Sequence, residues 1–150
     1  MKLMISACLL GVNCKYNGGN NLDARVSALA ADKSNRIIPV CPEVMGGLAT
    51  PRPPAEVRAD GRVMTQDGKD VTREYEKGAA LALALARKEQ PDRVILQSRS
   101  PSCGVGMRYD GTFSRTLVPK SGITAALLME NGFRVIDVSA LDQLTPAGKG

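Results

Sequence analysis

The chain reads as a single α/β domain with one mainly parallel sheet, helices on both faces, and one small β-hairpin. Three observations predict this. Short apolar runs alternate with segments of helical period, the order that builds parallel sheets from strand–helix–strand units. The runs are almost wholly apolar, as strands covered on both faces must be. The length, 150 residues, suits one domain around one core.

Taken in order, the first strand runs from about Lys2 to Ala7, around Leu3-Met4-Ile5. A loop from Gly11 to Asn20 follows, rich in the Gly and Asn that supply turns and positive φ angles. Leu22–Ala31 reads as a short helix with Asn21 as its N-cap, and Arg36–Val40 as the second strand. From Cys41 to Pro54 there is too much Pro and Gly for regular structure, and a loop of that length in a compact domain points to function.

Ala55–Ala59 and Arg62–Gln66 flank Asp60-Gly61, a two-residue hairpin signal. This hairpin is a candidate flap. Thr72–Glu89 is the clearest helix. Asp70 or Thr72 caps it, Glu74 and Glu76 suit its first turn, and Arg87 and Lys88 suit its last. Leu81, Leu85 and the alanines between them form its apolar face, and Pro91 ends it. Arg93–Gln97 is the third strand and Ser98–Gly111 a second long polar loop. Ser121 caps a helix over Gly122–Glu130, closed by Asn131-Gly132. Phe133–Val138 is the fourth strand. Residues 1–138 thus form a Rossmann-like domain, and 139–150 a C-terminal tail without a motif.

Composition narrows the function. Aromatic residues make up 3% of the chain, so the core is aliphatic. No apolar stretch is long enough to span a bilayer, and the apolar start is too short for a signal peptide. A cytoplasmic protein with reduced thiols is expected. The net charge of +5 is scattered along the chain. With so few aromatics to stack on bases, a nucleic-acid polymer is disfavoured as partner, while a single nucleobase or nucleotide remains open.

The chemistry is concentrated in the cysteines. Cys8, Cys41 and Cys103 each follow a predicted strand: Leu3-Met4-Ile5, Ile37-Ile38-Pro39-Val40 and Val94-Ile95-Leu96. Carboxyl ends of parallel strands share one edge, and ligands bind in the crevice there. The three thiols are therefore expected to meet in space. The chain has no histidine, which removes the commonest acid/base group and nitrogen ligand. An all-thiolate site favours zinc, copper(I) or an iron–sulfur cluster. No C-x-x-C pair is present, so spacing alone does not choose among them. Cys14 is a possible fourth ligand; without it, three thiolates leave one coordination position open. Glu43, two residues after Cys41, is the candidate general acid/base. Ser100 and Ser102, beside Cys103, are candidates to bond a substrate or relay a proton, and Arg52 is rigidly presented between two prolines. Gly104 and Gly106 lack the context of a dinucleotide fingerprint.

Five segments stand in register: Ser6-Ala7-Cys8-Leu9-Leu10-Gly11, Tyr16-Asn17-Gly18, Pro39-Val40-Cys41-Pro42-Glu43, Gly46-Gly47-Leu48-Ala49-Thr50-Pro51-Arg52-Pro53 and Ser98-Arg99-Ser100-Pro101-Ser102-Cys103-Gly104. In these the chain resembles the family catalogued as domain of unknown function 523, which includes thiouracil desulfidases. The resemblance covers about Met1 to Val138. It implies a [4Fe-4S] cluster held by Cys8, Cys41 and Cys103, with the fourth iron free of protein ligands. It places the catalytic glutamate on Glu43 and the catalytic serine on Ser100, with Ser102 as the other candidate. Family members often lack a thiol at the position of Cys14, which argues against an obligatory ligand there. The implied reaction is non-redox removal of sulfur from a thionated nucleobase such as 2-thiouracil, giving the oxo base and sulfide. The alternatives are an iron–sulfur or zinc carrier without activity, a structural zinc domain using all four cysteines, and a domain acting on thiolated tRNA.

Overall fold

The computed structural model describes residues 1–144; residues 145–150 of the expected tail lie outside the described residues. Eight strands and four α-helices follow one another along the chain. They are β1 (Lys2–Ser6), α1 (Ala24–Ala31), β2 (Arg36–Val40), α2 (Pro42–Met45), β3 (Ala55–Val57), β4 (Val63–Thr65), α3 (Thr72–Glu89), β5 (Arg93–Leu96), β6 (Arg108–Tyr109), β7 (Leu117–Val118), α4 (Ile123–Glu130) and β8 (Val135–Asp137). The central sheet has the order β2-β1-β5-β8, and every neighbouring pair in it is parallel. Two antiparallel pairs, β3-β4 and β6-β7, stand apart from it.

Alternation along the strands divides the core in two. Met4, Ile38, Val40, Val94 and Leu96 pack against Ala82, Leu83 and Ala86 of α3 and Ala125 and Leu128 of α4. Leu3, Ile5 and Ile95 point to the other face and pack with Val26 of α1, Val138 and Leu141. Helices therefore cover both faces, as a sheet with no polar face requires. Leu141 is buried in this second layer, so the chain after β8 contributes to the core before it leaves the described region. No described helix is long and apolar enough to cross a membrane.

Several elements differ in detail from expectation. The N-cap of α1 is Asp23, not Asn21: its carboxylate accepts from the backbone N–H groups of Arg25 and Val26 at 2.8 and 3.2 Å. The Arg25 guanidinium beside it holds the Asp23 carboxyl below the usual carboxylate range. A depressed folded-state value means that the cap's contribution is present at neutral pH and is lost as pH falls through that value. Asp23→Ala should cost about 1 kcal/mol at pH 7, and chemical denaturation should find the difference shrinking below about pH 4, the unfolded value, and vanishing only beneath the depressed folded one.

On α3 the buried face is Tyr75, Gly78, Ala79, Ala82, Leu83 and Ala86, while Leu81 is exposed. The small residues face the sheet and α2 because those neighbours come close. The segment after Cys41, expected to be structureless, begins with the short helix α2, whose Pro42 stands at its first position, where the missing N–H costs nothing. A Cβ on Gly78 would lie 1.9 Å from the Pro42 carbonyl oxygen, and one on Gly46 2.0 Å from that of Glu74. Two helices thus meet backbone to backbone, and only glycine fits at the contact. Gly78→Ala should push α2 away from α3. The expected result is a loss of several kcal/mol of stability, the cost of overpacking that backbone cannot relieve, read as a fall in Tm.

A candidate thiol–carboxylate active site

The chain runs from β1 to β2 on one side and then crosses to β5 on the other, so the strand order reverses between β1 and β5. Parallel sheets open a crevice at the carboxyl ends of their strands at such a point. A cavity of about 400 Å³ lies here, lined by Cys8, Cys14, Cys41 and Cys103 together with Glu43 and Ser100. The three cysteines expected to meet are thus brought to one cavity from β1, β2 and β5, the three adjacent strands of the sheet. Cys14 comes with them.

Each thiol has its own surroundings. Cys8 lies in the short 3-10 turn Ala7–Leu10 and receives the Asn21 side-chain amide at 3.6 Å. This bond is the work of Asn21, which does not cap α1. Cys103 is buried, and the Ser102 hydroxyl approaches its sulfur at 3.5 Å. Ser6, almost wholly buried at the end of β1, lies on the same cavity and accepts the Gln97 N–H at 3.0 Å. Burial raises the Cys8 thiol above its ordinary value and pushes Cys103 to about 12. Burial, with Cys41 beside it, also pushes Cys14 to about 12. Without a cation these thiols keep their protons at neutral pH; a bound metal centre is what turns such groups into thiolates. Among the described residues, no three His, Cys, Asp or Glu side chains converge on the position of a single metal ion.

The loop that carries Cys103 is locked to α4. The expected cap Ser121 does not close that helix; its hydroxyl accepts the Gly106 N–H at 2.8 Å. Instead the first N–H groups of α4 bond carbonyls of the cysteine loop. Ile123 donates to Pro101 at 2.9 Å, Thr124 and Ala125 to Ser102 at 2.9 and 3.0 Å, and Gly122 just before them to Gly104 at 2.7 Å. Helix N-terminal donors need partners, and here the site itself supplies them.

Glu43 is fixed on every side. Arg52 donates to its Oε1 through Nε at 3.1 Å, with Nη2 in ion-pair contact at 3.1 Å, and both side chains are largely buried. Arg52 also donates to the Cys14 carbonyl at 2.9 Å and to the Ala49 carbonyl at 3.2 Å, tying three loops together. The Ser102 hydroxyl donates to Glu43 Oε2 at 2.8 Å. The buried Tyr75 also lines this cavity; burial first, and then the nearby Glu43 carboxylate, drives its pKa far above the ordinary range.

Ser100 and Ser102 divide their tasks. Ser102 is buried and holds Glu43. Ser100 Oγ accepts from the backbone N–H of Ser102 at 3.1 Å and of Cys103 at 3.0 Å. A hydroxyl has two acceptor lone pairs and one proton. With both lone pairs used, the Ser100 proton is the part left to give. Ser100 Oγ lies 3.0 Å from Ser102 Oγ and 3.5 Å from Glu43 Oε2. Every candidate site residue read from the sequence therefore lies on one cavity. Tyr75 was missed. The available signal was a tyrosine on the apolar face of a helix in a chain with few aromatics. The partner of Arg52 was also open, because pairing across loops leaves no mark in spacing.

An uncharacterised protein of Bacillus subtilis (strain 168), YbbK, is 39% identical over 151 residues, spanning 95% of this chain and 99% of that one. Among solved structures, the [4Fe-4S]-dependent thiouracil desulfidase TudS, also designated DUF523Vcz, matches with a TM-score of 0.89 at 40% identity, covering 99% of this chain and 97% of that one. The 2-thiouracil desulfurase family matches residues 3–139, nearly all of the described fold, and the chain belongs to this family.

Proposed function

We propose that this protein is a desulfidase that replaces the sulfur of a thionated nucleobase, such as 2-thiouracil, with oxygen from water and releases sulfide. The observation that carries the reading is the meeting, on one cavity, of three thiols from three strands with a carboxylate held by Arg52 and Ser102. The donor set fits a [4Fe-4S] cluster, the cofactor of the TudS structure. Three soft thiols stand on separate elements and do not close on one ion; a cluster takes one thiolate at each of several irons and can bridge such a spread. Cys8, Cys41 and Cys103 would hold it. Bound there, it would supply a Lewis-acidic iron for the soft thiocarbonyl sulfur.

The remaining work falls to the chain. Glu43 takes a proton from the water that adds to the thiocarbonyl carbon, and returns a proton to the departing sulfur. The balance is C=S plus water giving C=O plus hydrogen sulfide, with no electron gained or lost. Ser100 donates its free proton to the base and orients it, and Ser102 keeps Glu43 in place. Arg52, bonded to the other carboxylate oxygen, fixes its orientation. Ser100→Ala is expected to lower sulfide release from 2-thiouracil by about tenfold to a hundredfold. Such chemistry belongs in the cytoplasm, where thiols stay reduced.

The test is purification without oxygen, with iron and acid-labile sulfide assayed on the sample that is then given 2-thiouracil. About four irons and four sulfides per chain, with sulfide and uracil formed in equal amounts, support the reading. A protein that reconstitutes its cluster yet releases no sulfide from any thionated pyrimidine overturns the reaction and leaves a carrier.

A further inference from the structure

We infer that Phe113 is a specificity-determining residue of the cavity, the face on which a flat heterocycle stacks, and that Glu56 is the positioning residue that holds it there. The inference rests on the reading just proposed, in that the ring is that of the thionated base. It starts from the scarcity of aromatic side chains. The chain has three tyrosines, two phenylalanines and no tryptophan. Four of these five line the cavity: Tyr16, Tyr75, Tyr109 and Phe113. Tyr75 is buried, close to Glu43. Tyr16 is exposed, with the Lys15 ammonium 6.0 Å from its ring centre. Phe113 alone carries no polar atom. Among the glutamates, serines, glutamines and arginines of the cavity wall, it has only its ring to offer.

A pyrimidine has polar edges and two faces without hydrogen-bonding groups. Hydroxyls, amides and charged groups read the edges, and the faces need an apolar or aromatic partner. Phe113 matches that need, and the backbone is arranged to present it. The β6–β7 connection turns there with φ of 57° at Phe113 and 62° at Arg115, a region that L side chains seldom adopt. Such conformations persist where surroundings enforce them. The enforcing group is Glu56 on β3. Its Oε1 accepts the backbone N–H of Gly111 at 3.0 Å and of Phe113 at 3.1 Å. Gly111 lies so close to β3 that a Cβ there would stand 2.7 Å from the Arg58 Cα. The two small hairpins are thus joined by one carboxylate, and the joint fixes the residue that faces the ligand.

The experiment compares Phe113→Ala, Phe113→Tyr, Glu56→Ala and Glu56→Gln with the parent, all with the cluster loaded. It reads KM and kcat for sulfide release from 2-thiouracil, and the Kd of uracil by calorimetry. Phe113→Ala should raise both KM and the uracil Kd by about tenfold, the usual loss when one stacking partner is removed, with the effect mainly in KM. Phe113→Tyr, which keeps the ring, should stay near the parent. Glu56→Ala should reproduce the rise, and Glu56→Gln, which retains an accepting oxygen, should restore most of the affinity. Values for Phe113→Ala within about twofold of the parent, or a Glu56→Ala loss confined to kcat, would overturn the inference. If the parent releases no sulfide yet binds uracil in a Phe113-dependent way, the proposed reaction fails and the stacking inference stands. If the parent turns over normally and Phe113→Ala matches it, only the inference falls.

Discussion

Glu43→Gln is expected to lower sulfide release by about two to four orders of magnitude, the span attributed to a positioned general acid/base, while the cluster content stays that of the parent. The substitution keeps the shape and retains an oxygen for Arg52, which donates to Oε1 at 3.1 Å through Nε. The amide nitrogen can face Ser102, whose hydroxyl accepts as well as donates. The fold and the thiols are then undisturbed, and what disappears is a group able to take up and return a proton at neutral pH. No histidine is present to take over. Sulfide release is the measurement, with iron assayed on the same sample. Full turnover by this variant would remove Glu43 from the mechanism.

The second large effect is loss of a cysteine. Cys103→Ser should yield protein with almost no bound iron and no desulfidation above background, and Cys8→Ser and Cys41→Ser should behave alike. A serine oxygen is a hard ligand that does not replace a thiolate for soft iron–sulfur chemistry. Cys14→Ser should retain iron. Its side chain is buried beside Cys41 in the loop after β1, and its backbone carbonyl, not its sulfur, is tied into the site through Arg52. Iron per chain and visible absorption after identical reconstitution separate the two classes. Equal iron loss in Cys14→Ser would make it a fourth ligand and close the site.

Much of the architecture was legible because local and global signals coincide. β2 and α3 have the bounds read from sequence, Arg36–Val40 and Thr72–Glu89. An unbroken apolar run marks the first, and charge placement with a following proline marks the second. The short helix α2 was hidden because Pro and Gly there look like loop chemistry. Proline begins that helix, and Gly46 lets it lie on the backbone of α3, a tertiary reason that no local pattern carries. The two-residue strands β6 and β7 are too short to show a period. At the site, the cysteines could be grouped because strands of one sheet share an edge. The bonds of Glu43 to Ser102 and of Glu56 to the Phe113 backbone join elements far apart in sequence. Sequence spacing bears no trace of them.

The bonding of α4 to the Cys103 loop has a consequence for how the protein matures. In a small metal-dependent finger the polypeptide orders only when the ion arrives, so binding and folding are one event. Here Pro101, Ser102 and Gly104 give their carbonyls to the amides at the start of α4, and that helix packs on the sheet through Ala125 and Leu128. The entropy of ordering the Cys103 loop is spent when the chain folds, before any iron is delivered. The polypeptide's own hydrogen bonds therefore hold this wall of the receptacle in place. In the iron-free protein, the amide hydrogens of Thr124 and Ala125 should already exchange as slowly as those of the neighbouring sheet.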